Sequence, residues 1–154
     1  MQKQKWIFGG LSLLLFIAAS GCTKNADNSQ SGSQSGSNDT SADKGVGPVT
    51  ELKMETLNPE LAASGKEVFH AKCSACHKLE EKFVGPALNG VSTRRQPEWI
   101  MNMILNPAEM TVKDPIAKDL LGQYMTQMSF QNVSQPEARQ ILEYFRKNDL
   151  DSKK

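Results

Sequence analysis

The sequence predicts an all-helical domain, and three features predict it. Four segments carry proline in a helix-start context: Asn58-Pro59-Glu60, Pro97-Glu98, Asp114-Pro115 and Ser134-Gln135-Pro136-Glu137. Proline suits a first turn because its φ is already helical and its missing N–H would have had no intrahelical partner. Behind the first and last of these starts, apolar or small residues recur at spacings of three and four. They are Leu61, Gly65, Val68 and Phe69, then Ala138, Ile141, Leu142 and Phe145. The period-two alternation of half-buried strands is absent. About four helices are expected.

Composition bounds the size and partners of such a domain. The chain has 154 residues, but neither the first fifty nor the last few have core composition. Six Phe, two Trp and two Tyr are few for a large apolar core without help. Taking Lys3 and Lys5, which fall in an expected leader, from the 18 basic residues leaves 16 against 17 acidic ones. No basic stripe results, which argues against a nucleic-acid partner. Three cysteines also cannot pair evenly, which argues against a disulfide-stapled fold.

In chain order, residues 1–21 come first. Two lysines precede an apolar run from Trp6 to Ala19, and small residues close it. That is the pattern of a secretory signal, and the run is short of the ~18–20 apolar residues of a bilayer span. An uncleaved membrane anchor is the alternative. Ala19-Ser20-Gly21-Cys22 resembles the lipobox of bacterial lipoproteins, with Ala19 where leucine is commonest. The resemblance implies that Cys22 is acylated and begins the mature chain, and several acyl chains anchor stably where one does not. Residues 22–48 are then a tether dominated by Ser, Gly, Asn, Asp and Gln, with too little apolar surface to fold. It would reach about 25–30 Å by the ~5–6 Å × √n rule.

Residues 49–149 form the expected domain. The first helix starts at Asn58-Pro59-Glu60, with a capping Asn and an acid in the first turn. A loop follows with Gly85-Pro86 and Asn89-Gly90. The second helix opens at Pro97-Glu98, carries Trp99, Ile100, Met103 and Ile104, and ends at Asn106-Pro107. The third runs from Asp114-Pro115 to about Tyr124. The last follows the Ser134 cap, with Glu137 three residues on. Residues 150–154 are a polar tail.

The chemistry is concentrated in Cys73-Ser74-Ala75-Cys76-His77. Two thiols one helical turn apart can add across the two vinyl groups of a haem, and the adjacent imidazole then faces the iron. A thioredoxin-like dithiol would need a βαβ setting. A zinc site would need four ligands, and His70, Cys73, Cys76 and His77 lie on one short segment rather than on two arms. A buried porphyrin would also account for the low aromatic count.

With those residues in view, the region from about Leu57 to Phe145 resembles a class I cytochrome c. Gly65-x-x-x-Phe69-x-x-x-Cys73 is similar to that family's first helix, whose glycine allows close crossing by the last. Ile141-Leu142-Glu143-Tyr144-Phe145 resembles the last helix, and Gly85-Pro86-Ala87-Leu88-Asn89-Gly90 the loop after the motif. The resemblance implies a small cytochrome c fold around one covalent haem c. It implies Cys73 and Cys76 as attachment points, His77 as an axial ligand, and the Pro86 carbonyl as acceptor from the outer nitrogen of that histidine. It implies a methionine as sixth ligand, often in a Met-Pro pair. Met128 fits the shorter spacing before the last helix and is preferred; Met125 fits a longer loop. Neither is followed by proline.

Met101, Met103 and Met110 are read as core filling, and His70 as a partly exposed helix histidine. Arg94, Arg95 and Trp99 are candidate contacts for haem propionates; an exposed turn for the arginines and plain core burial for Trp99 are the alternatives. Lys78, Glu80, Glu81 and Lys82 are read as a solvated loop. The expected function is that of a membrane-tethered monohaem electron carrier, not an enzyme. It would serve redox proteins outside the cytoplasm, lipid-anchored to a bacterial membrane and facing the periplasm. Two alternatives stay open: a haem enzyme or gas-binding sensor with an open sixth position, and a metal-holding assembly lipoprotein.

Overall fold

A computed structural model describes residues 43–153 of the chain. The signal, Cys22 and most of the tether expected from the sequence lie outside these residues. Six helices and no strand occur among the described residues. They are α1 (Pro59–Lys72), α2 (Val91–Arg94), α3 (Pro97–Leu105), α4 (Pro107–Lys113), α5 (Pro115–Tyr124) and α6 (Gln135–Asp151).

The four expected starts are all present, and side-chain caps explain three of them, α3 starting at Pro97 without one. Asn58 Oδ1 accepts from the backbone N–H groups of Glu60 and Leu61, each at 3.0 Å. Asp114 Oδ1 accepts from Ala117 N at 2.7 Å. Ser134 and Glu137 form a reciprocal capping box, which satisfies two donors that the first turn would leave free.

Two helices were not expected. Asn106-Pro107, read as a stop, is both the end of α3 and the start of α4. Asn106 breaks the helix at φ −142°, and Pro107 restarts it at once. Burial of Pro107, Met110 and Thr111 then holds α4 in place. The single turn of α2 follows Gly90, whose φ of +74° suits a residue without Cβ. Asp149 on α6 serves as its distant cap, accepting from Gly90 N at 2.6 Å and Ser92 N at 2.9 Å. Helix α6 itself runs to Asp151, inside the stretch read as a polar tail.

The central packing is the crossing of α1 on α6. A Cβ at Gly65 would lie 1.9 Å from the backbone oxygen of Gln140, so the glycine sets the approach distance. Below the crossing, Phe69 meets Phe145 edge-on with ring centroids 5.7 Å apart, and Tyr144 at 5.5 Å. The core continues through Trp99, Ile100, Met101, Ile104, Met110, Ile141 and Leu142, so Met101 and Met110 are core residues, as expected.

The packed region also starts earlier than the sequence suggested. Residues 43–48, read as the end of the tether, lie against α3 and α4. Asn102, 1% exposed, donates to the carbonyls of Lys44 (3.0 Å) and Val49 (2.9 Å) and accepts from Val49 N at 2.9 Å. Its amide is fully satisfied, so a buried polar side chain here fastens a backbone instead of costing stability. The same segment continues to Leu52, whose N–H meets Glu98 at 3.1 Å.

Candidate haem site

A cavity of about 460 Å³ opens beside this core, within the ~300–1,000 Å³ typical of small-molecule and cofactor sites. Its floor is apolar, with Phe69, Val91, Ile100, Ile104, Leu120 and Phe145 among the lining residues. The end of α1 delivers the motif to it. Cys73 is the C-cap of α1, and the next turn is held by hydrogen bonds from Cys76 N and His77 N to Cys73 O, both 3.0 Å. Cys73, Cys76 and His77 all line the cavity. Both thiols are free, Cys73 half-buried and Cys76 exposed.

His77 is oriented from behind. Its Nδ1 is 3.2 Å from the Pro86 carbonyl oxygen, so Nδ1 carries the proton and Nε2 is the nitrogen left for a metal. Gly85 makes this approach possible: a Cβ there would stand 2.4 Å from His77 Cε1. Burial pushes the imidazole below its ordinary pKa, against the opposing effect of the Pro86 hydrogen bond. A neutral ring is the form that ligates. Burial likewise pushes the Cys73 thiol up to about 11, with Lys72 acting in the opposite direction and Cys76 in the same one.

The two candidate methionines are separated clearly. Met128 lines the cavity, half-buried, from the segment between α5 and α6. Met125 is the C-cap of α5, in left-handed conformation at φ 52°, and 84% exposed. Met103 lines the cavity as well. His70 is exposed on α1.

Arg94, Arg95 and Trp99 all line the cavity, but their polar groups are differently engaged. Arg94 donates to the Asn89 carbonyl, and the Arg95 guanidinium lies 5.4 Å from the centre of the Trp99 ring. The Trp99 indole N–H donates to Asp114 at 3.1 Å in the interior. Core burial is therefore what the structure gives Trp99, since its one donor is already spent on Asp114. That partner was visible in the sequence only as a helix cap. Burial raises the Asp114 carboxyl above the ordinary range, and neighbouring Asp43 adds to the rise.

In the expected solvated loop, Glu80, Glu81 and Lys82 are exposed. Lys82 Nζ also sits 4.6 Å above the Tyr124 ring, and Lys78 donates to Ser74 O at 3.1 Å. Tyr124 and Gln127 line the cavity and carried no functional signal in the sequence. No three His, Cys, Asp or Glu side chains gather into a metal cluster among the described residues. No helix there is long and apolar enough to cross a membrane.

A helical domain with an apolar cavity, two thiols a turn apart and an imidazole fixed from outside defines a covalent haem-binding domain. Residues 62–149 match the family model for cytochrome c. Cytochrome c from Rhodothermus marinus is similar at 40% identity and a TM-score of 0.67, over 68% of this chain and 91% of that one. An engineered form of that cytochrome, described as bound to a carbene intermediate, is similar at 40% identity and a TM-score of 0.63, with the same coverage. The cytochrome c domain of a Pseudomonas putida protein shares the fold at 24% identity, over 56% of this chain and 88% of that one, with a TM-score of 0.50. No curated protein matches the chain. The chain belongs to the cytochrome c family. It binds covalently attached haem c, and its chemistry is haem-based electron transfer.

Proposed function

We propose that this protein is a membrane-tethered monohaem carrier that passes one electron at a time between redox proteins outside the cytoplasm. The observation that carries the reading is the meeting in one cavity of Cys73, Cys76, His77 and Met128, with His77 Nδ1 held by the Pro86 carbonyl. The haem iron supplies the one-electron couple. Cys73 and Cys76 would hold the ring by thioether bonds, and His77 Nε2 and the Met128 sulfur would be the side-chain ligands of its iron. Pro86 holds the imidazole plane and raises its basicity. The apolar floor would keep water from the iron and disfavour the more charged ferric form, which would raise the potential. Arg94 and Arg95 stand at the cavity wall as cationic partners for propionates. With His77 and Met128 both available to the iron, no position would be left open for a substrate, so the reading is of an electron carrier, not an enzyme.

The tether belongs to the same reading. Acylation at Cys22 would hold the domain at a bacterial membrane facing the periplasm, and residues 23–42 would give it reach. Anchoring raises the effective concentration of membrane-bound partners. Near-balanced charge speaks against nucleic acid.

The deciding measurement is the visible spectrum of the holoprotein, ferric and ferrous, with and without carbon monoxide. A low-spin c-type spectrum, a far-red iron–sulfur band in the ferric state and no response to carbon monoxide are expected. Met128→Ala should abolish the far-red band and Met125→Ala should leave it. A ready carbon monoxide shift in the unmutated protein would instead establish an open sixth position and overturn the carrier. Cys22→Ala should move the protein from the membrane to the soluble fraction; unchanged partitioning would refute the lipid anchor.

A further inference from the structure

The segment from Met125 to Val133 joins α5 to α6 without regular structure, and Met128 lies in it. Nothing about its backbone is stiffened by proline, since Ser129 follows the methionine. Between Thr126 and Gln131, the hydrogen bonds that tie this segment to another element among the described residues come from one side chain. Gln127 Nε2 donates to Thr111 Oγ1 at 2.9 Å, and Gln127 Oε1 lies 3.2 Å from the same oxygen.

The donor count fixes how the pair works. Thr111 has one hydroxyl proton, and the carbonyls of Pro107 and Ala108 on its own helix both lie 3.1 Å away. Giving that proton back to α4 leaves Oγ1 as acceptor for Gln127 Nε2. The second Nε2 hydrogen reaches the Met128 carbonyl at 3.3 Å. Thr111 is 5% exposed on a helix wedged into the core by Met110, so it is a firm post, and both Thr111 and Gln127 line the cavity. We propose that the Thr111–Gln127 pair is the positioning device for Met128, fastening its loop to α4 where the usual pattern of the family has a proline. This rests on the reading of Met128 as sixth ligand.

The test uses holoprotein with haem attached and reads two quantities: the far-red band of the ferric state and the affinity of the ferric iron for added imidazole. Imidazole competes with the sulfur, so a loosened loop tightens its binding. Thr111→Val removes the hydroxyl at nearly constant volume, and Gln127→Leu removes the other half at an exposed position. Each should tighten imidazole binding by about three- to tenfold, as expected for a hydrogen bond of ordinary net worth, and weaken the far-red band. The double variant should do no more than either single one, because one interaction is lost in all three. Thr111→Ser should restore the unmutated values.

Imidazole affinity within twofold of the unmutated protein in Gln127→Leu would overturn the proposal. So would an equal effect of Thr111→Ser and Thr111→Val, which would mark packing and not the hydroxyl as the cause. Should Thr111→Val fail to accumulate, Gln127→Leu decides alone. Met128→Ala separates the two levels: if it keeps the far-red band, the ligand reading fails. If it loses the band while Gln127→Leu changes nothing, only the positioning role fails.

Discussion

Gly65 illustrates how much one side chain can cost. The carbon that alanine would add lands 1.9 Å from the Gln140 carbonyl oxygen and 2.3 Å from its carbon. Both are helix backbone, so no rotamer change relieves the clash and α1 must lift from α6. Overpacking of this kind costs about 1–3 kcal/mol or more, and the rings of Phe69, Tyr144 and Phe145 would separate with it. Gly65→Ala should therefore lower stability by at least about 2 kcal/mol in denaturant unfolding of the holoprotein, whereas Gly122→Ala should not, since nothing lies within 4 Å of its Cβ position. Equal effects at the two sites would remove the close crossing as the reason for Gly65. At this scale the sequence was informative where chemistry is local: Cys73, Cys76 and His77 are neighbours, and their spacing alone named the cofactor. Trp99 was ambiguous because its partner, Asp114, lies on another helix. Thr111 and Gln127 carried no signal because each is ordinary until the fold brings them to 2.9 Å.

Helices show the same division between local and distant causes. Starts marked by a proline, three of them with a capping side chain, were legible, and all four are found. Helices α2 and α4 were not, because a turn capped by Asp149 and a seven-residue helix pinned by Met110 are products of tertiary packing. Within α6, one capping residue does double service. Glu137 closes the capping box with Ser134 and also receives Lys72 Nζ from α1 at 2.8 Å. The Lys72 hydrogen bond, then those from Ser134, hold the Glu137 carboxyl down to about 2. Nearby Glu143 is also below its ordinary range: burial pushes it up, and hydrogen bonds from Arg139 and Arg146 outweigh that. A carboxyl depressed on folding stabilises the fold above its unfolded pKa, and the contribution is lost as pH falls through the folded one. Stability should thus decline between about pH 4.5 and 2, and Glu137→Gln should flatten that decline while lowering stability at neutral pH. An unchanged acid limb in Glu137→Gln would show that the pair does not couple α1 to α6.

At the scale of the whole molecule, the cofactor is part of the core. The sequence hinted at this through its few aromatic residues, and the structure gives the reason: apolar side chains of α1, α2, α3, α5 and α6 face a space of about 460 Å³. Without the ring those apolar side chains would face water, and the burial that stabilises a core would be forfeited along that whole face. The segment from Gly45 to Leu52, clamped by Asn102 and Glu98, adds contacts on α3 that do not involve the cavity. Its first part, residues 45–48, was read as tether because it carries two glycines and little apolar surface, and its fastening is backbone to side chain. Fastening a strap to α3 does not replace an apolar centre. The chain made without haem attachment, or as the Cys73→Ala, Cys76→Ala double variant, should therefore show reduced helical circular dichroism and no cooperative thermal transition, while the holoprotein unfolds in one step. A cooperative transition in the haem-free chain close to that of the holoprotein would mean that the helices complete their core without the ring. The cavity would then be a pocket in a finished fold and not the centre of one.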